Sequence, residues 1–444
     1  MEGREMRRIA GASAIGALSL FVAFGGATTA NSVGASLPGR SAGSLGRSVT
    51  LTLWENYGTE DEATATYNLV RAFEKLHPNI KINVASQPAS NYFSLLQAAA
   101  ISRTGPDLTV MWSGLYALKY SYFLVNLNNY LPKSLIRKVY GIKYSSLNFN
   151  PSDGVIIAPL ENQFYMGFYN KALFKKAGIS SPPTDWTQLF RDSAILKKHG
   201  ITPLLYGSGS QSIGAEFYPF YDLSYLMAGV YSPSQWKGLY DGQIPWTSAP
   251  IKAQLAKWVS LYRDGYTNRN ALTATNILSA FEQGKGAMLI KGNWDVNVLE
   301  KAMGSKLGVF LPPFSSKPVH SVVMFPGDGY SMTTYSQHKA QAAEFLRFVL
   351  SPEGQKIESQ AGLIPDVKGS KTNNPLNNQL LSYAAKGYTV YPMIDNMIQP
   401  NVVDAGSKEL DAAFVGNISV IQALQNLEQT LKNLPASQRS SHYN

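Results

Sequence analysis

Cysteine is absent from the sequence. The chain therefore has no disulfide bond, no thiolate metal site and no cysteine nucleophile. A lipid anchor of the kind attached to an N-terminal cysteine is excluded for the same reason, and the sequence predicts that the protein is not a lipoprotein. How it would be retained at a cell surface stays open.

Charged residues are also scarce, at 15% of the sequence, although Lys and Arg outnumber Asp and Glu and give a net charge of +10. The basic residues are scattered, and the longest runs are pairs such as Lys175-Lys176 and Lys197-Lys198. Nucleic-acid binding needs a clustered basic surface, so this pattern does not predict it. A general attraction to an acidic wall or membrane surface is left open.

Long apolar runs are missing beyond the N-terminal region. Residues 9–24 are small and apolar and follow a basic start, but they are shorter than the roughly 20 residues that span a bilayer. This pattern predicts a signal peptide at 1–30, cleaved after Ala30 or Ala35, although an uncleaved anchor is the alternative. Residues 31–48 are rich in Gly, Ser and Ala and predict a flexible tether. The mature protein is thus expected outside the cytoplasm, in the periplasm or on the outer face of the cell membrane.

Signatures of catalysis and of cofactor binding are absent as well. The sequence has no H-E-x-x-H zinc motif, no G-x-S-x-G elbow and no G-x-G-x-x-G loop after a strand. We therefore predict no catalytic residue, no cofactor and no metal. Two acids suffice for glycosidase chemistry, but the sequence does not show which acids meet. The candidates are Glu55, Glu161, Glu216, Asp295 and Asp328.

Strand and helix patterns alternate from Val49 onward, and 444 residues exceed what one hydrophobic core usually supports. This order predicts about two domains, with parallel sheets covered by helices. The tail at 417–434 has an apolar stripe that predicts a helix packed on the core. The first predicted elements are strand 49–54, helix 60–76, strand 81–84, helix 92–102 and strand 108–111.

Aromatic and polar residues stand together where several predicted strands end. Ligands of open α/β sheets bind outside the carboxyl ends of strands. Sugars stack their C–H faces on aromatic rings and bind their hydroxyls to carboxylates and amides. A single Trp at a strand end is more often a packing residue, but the recurrence predicts a carbohydrate site. The segments are 54–57, 111–113, 161–163, 293–295 and 327–330.

From about Leu51 to Pro365 the chain resembles the sugar-binding proteins of ABC importers, the extracellular solute-binding proteins of family 1, which include maltose-binding protein. The resemblance rests on several short motifs in a fixed order. They are Trp54, Gly105-Pro106-Asp107, Tyr169-Asn170-Lys171, Pro183-Thr184-Asp185-Trp186, Phe281-x-x-Gly284-Lys285-Gly286-Ala287-Met288, Gly292-Asn293-Trp294, Leu311-Pro312-Pro313, Ser351-Pro352-Glu353-Gly354-Gln355 and Gly362-x-x-Pro365.

The resemblance implies an α/β fold of two lobes, each a mostly parallel sheet flanked by helices, which close around a ligand by hinge bending. The expected crossings between the lobes lie near 158–161, 322–326 and 351. The expected lobes are 49–158 with 322–352 and 159–321 with 353–444.

The resemblance also implies which residues line the cleft. Glu216 and Tyr218, with Tyr221, fall where relatives place further aromatics, but no motif anchors them. Contacts from Tyr388, Tyr391 or Asp395 have no motif behind them, because the chain after Pro365 matches little of the family. The expected ligand-binding residues are Trp54, Glu55, Trp112, Ser113, Glu161, Glu216, Tyr218, Trp294, Asp295, Gly327 and Asp328.

The implied function is capture of a mono- or oligosaccharide and its delivery to the membrane subunits of an ABC importer, by a monomer that meets the membrane only through the importer. Glu55 and Glu161 disfavour a phosphorylated ligand, because like charges repel. Two alternatives are kept: the same fold binding a polyamine, peptide or glycerol phosphate ester, which would show a cleft dominated by charge, and a secreted enzyme acting on glycosides.

Overall fold

The computed structural model describes residues 48–58, 60–88, 91–207 and 221–440. The predicted signal peptide at 1–30 and all but the last residue of the predicted tether lie outside these residues, and both stay predictions. Within the described ranges, no helix combines the length and the apolar character needed to cross a bilayer.

The strands of the described residues form two sheets. In chain order they are β1 (Val49–Glu55), β2 (Ile80–Ser86), β3 (Leu108–Met111), β4 (Ala158–Pro159), β5 (Asn162–Asn170), β6 (Thr202–Leu205), β7 (Gly286–Gly292), β8 (Leu307–Phe310), β9 (Ser321–Pro326), β10 (Gly329–Met332) and β11 (Thr389–Tyr391).

Helices flank both sheets. In chain order they are α1 (Asp61–Leu76), α2 (Tyr92–Ser102), α3 (Leu115–Tyr120), α4 (Lys133–Ile136), α5 (Lys171–Lys176), α6 (Trp186–Lys198), α7 (Asp222–Ala228), α8 (Trp236–Asp241), α9 (Ala249–Arg263), α10 (Ile277–Glu282), α11 (Val296–Met303), α12 (Lys339–Val349), α13 (Pro352–Ala361), α14 (Pro375–Ala385), α15 (Pro400–Phe414), α16 (Val420–Asn433) and α17 (Ala436–Ser440).

The first sheet has the strand order β2-β1-β3-β10-β4. β1 is parallel to β2 and β3, whereas β10 is antiparallel to both of its neighbours, so only β10 runs against the rest. Leu51 and Leu53 of β1 are fully buried, as the alternating pattern of the strand requires. α1 buries Leu69 and Phe73 in the same core, and we define this sheet with its helices as the first lobe.

The second sheet has the order β11-β9-β5-β7-β6, with β8 also paired to β5. β5 is antiparallel to β7, β8 and β9 and runs against every other strand of the sheet. α9, α15 and α16 pack together beside it and complete the second lobe. The apolar stripe predicted for the tail is buried in α16, at Leu424, Leu427 and Leu431. The predicted fold class, two α/β lobes with mostly parallel sheets, is confirmed.

The chain passes between the lobes at three places. Leu160 and Glu161 join β4 to β5, and Gly327 and Asp328 join β9 to β10. Residues 363–366 lie beside the first crossing, where Asn162 N donates to the carbonyl of Ile364 at 2.7 Å. The chain then stays against the first lobe, where Lys368 N donates to the carbonyl of Lys138, and it reaches the second lobe at Asn374, whose side chain binds Asn297 and Glu300 of α11. We define residues 160–161, 327–328 and 363–366 as the hinge.

Two expected boundaries differ from the structure. Residues 322–326 belong to β9 and therefore to the second sheet. A crossing near Ser351 was wrong, because α12 and α13 both pack against α1 in the first lobe. Ser351 caps α13, its hydroxyl accepting from Gly354 N at 3.2 Å, so the motif there marks a corner between two helices of one lobe.

Candidate functional site

A cleft between the lobes is lined by residues from both lobes and from the hinge. Among the expected ligand-binding residues, Trp112, Trp294 and Asp328 are part of this lining. The described lining residues are Asn56, Tyr57, Glu60, Glu62, Trp112, Gln163, Tyr221, Trp294, Asp328, Met393, Asp395 and Asn396.

The loop after β1 forms part of the first-lobe wall. Tyr57 N donates to Glu55 Oε2 at 2.6 Å, which folds the loop over Glu55 and leaves that carboxylate buried beneath the cleft. The hydroxyl of Tyr57 and Oδ1 of Asn56 are buried and have no hydrogen-bond partner among the described residues. Buried polar atoms are nearly always paired, so both atoms are free to bind a ligand.

α1 begins with a turn of three buried acids, Glu60, Asp61 and Glu62. Glu60 Oε1 lies 4.0 Å from Lys291 Nζ, and Asp61 Oδ2 accepts a hydrogen bond from Asn297 N at 3.1 Å. Lys291 and Asn297 belong to the second lobe, so both contacts join the lobes across the cleft. The N-terminus of a helix favours negative charge, which is one reason that acids open α1.

Glu62 meets Glu161 where the first lobe reaches the hinge. The two carboxyl groups are within hydrogen-bonding reach of each other, and Gln163 Nε2 donates to Glu161 Oε1 at 3.1 Å. Burial raises the pKa of Glu161 to about 7 and raises that of Glu62 well above its ordinary value. Two carboxylates in contact do not both ionise readily, so the pair shares a proton near neutral pH.

The loop after β3 lies against the second lobe. Ser113 Oγ donates to the carbonyl oxygen of Pro326. Gly114 has a φ of +74°, and a Cβ there would lie 2.3 Å from the carbonyl oxygen of Asn396. Only glycine fits this approach, since any side chain would collide with the backbone of the opposite lobe. Trp112 itself packs edge-on to Phe93, with ring centroids 4.8 Å apart.

Trp294 lies on the second-lobe wall, directly after β7. Its ring covers Gly292, where an added Cβ would lie 1.9 Å from Trp294 Cζ3. Asn293 Oδ1 accepts from Phe164 N at 2.6 Å, which ties this turn to β5. Asp295 is buried and accepts a hydrogen bond from Lys291. The expected residue Asp295 therefore holds Lys291, while Trp294 presents its ring near the cleft.

Two more carboxylates come from the hinge and the second lobe. Asp328 lies in the second crossing, and Asp395 follows β11. Burial is the main cause that raises the pKa of both carboxyls, and Glu161 and Asp395 raise that of Asp328 further by repulsion. The pKa of Asp395 is raised to about 7. Despite these acids, within the described part of the chain no three His, Asp or Glu side chains are grouped to hold a metal ion.

Several expected residues lie around the cleft and do not form its lining. Trp54 sits on β1 between β2 and β3 and is partly buried against the core. Glu55, Ser113, Glu161 and Asp295 are buried behind the lining. A Cβ at Gly327 would lie 2.4 Å from the Gln163 side chain, so this residue makes room for Gln163. Glu216 and Tyr218 lie outside the described residues.

Sequence reasoning did not propose four of the lining residues. Glu60 and Glu62 have the pattern of ordinary helix-opening acids, which carries no sign of a cleft. Met393 and Asn396 lie in the region where the family resemblance is weak. Asp395, a weaker expectation there, does join the lining. The one available signal was the position of α1, which begins at Asp61, six residues after β1 ends at Glu55.

Residues 57–356, more than half of the chain, match the family model described as bacterial extracellular solute-binding protein. The chain belongs to this family. The solute-binding protein is 22% identical over 390 residues to the melibiose/raffinose/stachyose-binding protein of Bacillus subtilis, covering 84% of this chain and 88% of the relative. It is 23% identical over 415 residues to the galactooligosaccharide-binding protein of the same organism, covering 88% and 91%.

Solved structures show the same fold. A chitin oligosaccharide binding protein superposes with a TM-score of 0.76 at 20% identity, over 87% of this chain and 98% of that one. A raffinose-bound solute-binding protein superposes with a TM-score of 0.69 at 16% identity, over 86% and 99%. At these identities the likeness supports the two-lobed architecture only, and the ligand has to be inferred from the residues of the cleft.

Proposed function

We propose that this solute-binding protein captures a mono- or oligosaccharide outside the cytoplasm and delivers it unchanged to the membrane subunits of an ABC importer. The lobes close on the sugar, and the importer recognises the closed form. The names of two relatives from Bacillus subtilis support a saccharide, because each is described as a binder of oligosaccharides.

The observation that carries the proposal is the pairing of aromatic rings with unpartnered polar atoms in one cleft. Tyr57, Trp112, Tyr221 and Trp294 bring rings from both lobes. Asn56 Oδ1 and Tyr57 OH stand beside them, buried and without partners among the described residues. A pyranose has the matching chemistry, since its C–H faces stack on rings and its hydroxyls donate and accept hydrogen bonds.

Glycoside hydrolysis fits the acids of the cleft less well. Hydrolysis needs two carboxyls about 5–10 Å apart, on either side of the scissile bond. The carboxyls of Glu62 and Glu161 are within hydrogen-bonding reach of each other, and Glu161 lies behind the lining. A sugar does not fit between these two carboxyls, so this pair is not placed for glycoside hydrolysis.

The test is binding of a saccharide panel by the mature protein, followed by Trp fluorescence and thermal melting. A ligand that binds only the native state raises its melting temperature by mass action. We expect a fluorescence change and a raised melting temperature for at least one sugar, with that sugar recovered intact by chromatography. Breakdown of the sugar would favour an enzyme, and no response to any sugar would contradict the proposal.

A matched pair of variants locates the site. Trp294→Leu removes a ring from the cleft lining, whereas Trp54→Leu removes one that lies outside it. Loss of a stacking ring should weaken sugar binding roughly tenfold or more in the first variant only. Equal losses in both variants would move the binding site from this cleft to the end of β1.

A further inference from the structure

The charge of the cleft opposes that of the whole chain. The sequence carries a net charge of +10, yet the cleft lining contains four carboxylates, Glu60, Glu62, Asp328 and Asp395. Among the described lining residues there is no Lys, Arg or His. The excess positive charge therefore lies elsewhere, and the ligand meets a locally acidic surface.

Two of the four carboxylates are compensated within the protein. Glu60 lies 4.0 Å from the ammonium of Lys291, which also binds Asp295. Glu62 is in contact with Glu161, and this pair shares a proton. Neither group therefore requires a charge from the ligand.

Among the described residues, Asp328 and Asp395 have no such side-chain partner, although backbone N–H groups of Asp395 and Asn396 hydrogen-bond to the Asp395 carboxyl. Neither forms an ion pair within the described ranges, and Asp395 Oδ1 has no hydrogen-bond partner although the residue is only 4% exposed. Burial is the main cause that raises the pKa of Asp328, and repulsion from Glu161, Glu60 and Asp395 raises it further. Asp328 is half-buried and Asp395 is buried, and two such carboxylates in one cleft are stabilised when a cation or a proton enters beside them.

The unpartnered hydrogen-bonding atoms of the cleft also favour a positively charged ligand. The unpartnered buried atoms of the lining include two acceptors, Asn56 Oδ1 and Asp395 Oδ1, while Tyr57 OH both donates and accepts. A sugar hydroxyl brings one donor and remains an acceptor, whereas an ammonium group brings three donors and no acceptor. Aromatic rings such as Trp112 and Trp294 also attract a cation through their π faces.

We propose that the saccharide bound by this protein carries a free amino group, whose ammonium lies between Asp328 and Asp395 while its sugar ring stacks on the aromatic lining. This inference rests on the proposed function and narrows its ligand to amino sugars. A simple polyamine would satisfy the carboxylates but would leave the ring-stacking surfaces without a sugar face.

The experiment compares three β-1,4-linked disaccharides that differ only at C2 of each ring: cellobiose, the N-acetylglucosamine disaccharide and the free-amine glucosamine disaccharide. Binding to the mature protein is measured by titration calorimetry at about pH 7, where an amine is still largely charged and the Asp395 carboxyl, with a pKa of about 7, can release its proton. Spermidine serves as a cation without a sugar ring, and the best neutral ligand from the saccharide panel is run beside its free-amine analogue.

Two variants test the position of the ammonium. Asp328→Asn and Asp395→Asn keep the shape and remove the charge, and Asp404→Asn is the control because Asp404 lies exposed on α15 away from the cleft lining. We expect the free-amine sugar to bind roughly tenfold or more tightly than its neutral analogues, since charge-assisted hydrogen bonds are the strong ones. Each cleft variant should remove that advantage, and the control should retain it.

The outcomes separate this inference from the proposed function. Neutral sugars that bind as tightly as the amine, or an amine advantage that survives both cleft variants, would overturn the inference and leave sugar binding intact. Binding of spermidine without binding of any saccharide would overturn both. If no saccharide of the panel binds, both the proposed function and the inference are overturned.

Discussion

The two lobes each contain a fully buried carboxylate, and the two carboxylates differ in their hydrogen-bond partners. Asp222, in the core of the second lobe, accepts hydrogen bonds from Tyr165 Oη at 3.0 Å, Tyr206 Oη at 2.7 Å and Trp258 Nε1 at 3.0 Å. Glu358, on α13 beside the hinge, is equally buried, but neither of its oxygens has a hydrogen-bond partner among the described residues.

Burial raises the pKa of both groups, to about 7 for Asp222 and well above the ordinary value for Glu358. The three donors around Asp222 pull its pKa down, whereas Asp366 and Glu161 raise that of Glu358 further by repulsion. Asp222 is thus a structural acceptor that organises a core, and Glu358 depends on a proton. The acids of the hinge and cleft resemble Glu358 more than Asp222.

The largest effect is expected for Asp222→Ala. The substitution leaves three buried donors without an acceptor, and it should lower the free energy of unfolding by about 3 kcal/mol or more. Urea unfolding followed by fluorescence measures this loss, with exposed Asp404→Ala as the control. A loss below about 1 kcal/mol would mean that water or neighbouring groups replace the carboxylate, and the contrast with the hinge would disappear.

The wild-type protein should lose stability as the pH rises from about 5 to about 8. Glu161 has a folded pKa of about 7 against an ordinary value of 4.5, so the folded state holds a proton that the unfolded state releases between these values. Stability is therefore full below the unfolded pKa and falls as pH rises toward the folded one, by on the order of a few kcal/mol for the buried acids together. Melting temperatures across this range give the sign, and a rise with pH would contradict it.

Gly114→Ala should weaken ligand binding without unfolding the protein. The added Cβ would meet the carbonyl of Asn396 and oppose closure of the lobes. We expect roughly a tenfold loss of affinity, which is about 1.4 kcal/mol. Gly387→Ala is the control, because Gly387 has a similar φ of +81° but open space around it. Equal losses of affinity would show that backbone strain, and not the approach of the lobes, is responsible.

Glu358→Gln gives the smallest expected change and the most direct contrast with Asp222. Replacing the buried carboxyl by a neutral amide removes its need for a proton, so the variant should be more stable than wild type by about 1 kcal/mol at pH 8. The difference should shrink as the pH falls and vanish below about pH 4, where the residue is protonated in both the folded and the unfolded state. Destabilisation at pH 8 would show that Glu358 has a partner that Gln cannot replace.

Much of the fold follows from local patterns. The alternation in β1 and the apolar stripe of α16 predicted elements within a few residues of their observed bounds, because a buried face repeats every two residues in a strand and every three to four in a helix. The places where the chain crosses between the lobes were harder to predict from the sequence. Ser351-Pro352 marks a helix start whether the chain changes lobe or only turns a corner, and no local pattern separates the two.

The residues of the cleft lining likewise include some that the sequence could predict and some that it could not. Trp112, Trp294 and Asp328 could be proposed from sequence because they follow strands, and the carboxyl ends of strands meet at one edge of a sheet. Glu60, Glu62 and Asp395 reach the same space from a helix start and a turn far along the chain. Their meeting depends on how two lobes pack, which no spacing in the sequence encodes.

The sequence by itself determined the absence of disulfides, the alternation of strands and helices, and the resemblance to a family of two-lobed binding proteins, because each rests on composition or on short-range order. The tertiary structure alone decided where the chain crosses, which acids face the cleft and which receive donors. Those properties depend on residues far apart in the sequence, such as Glu62 with Glu161 and Glu60 with Lys291, whose charges come together only in the folded protein.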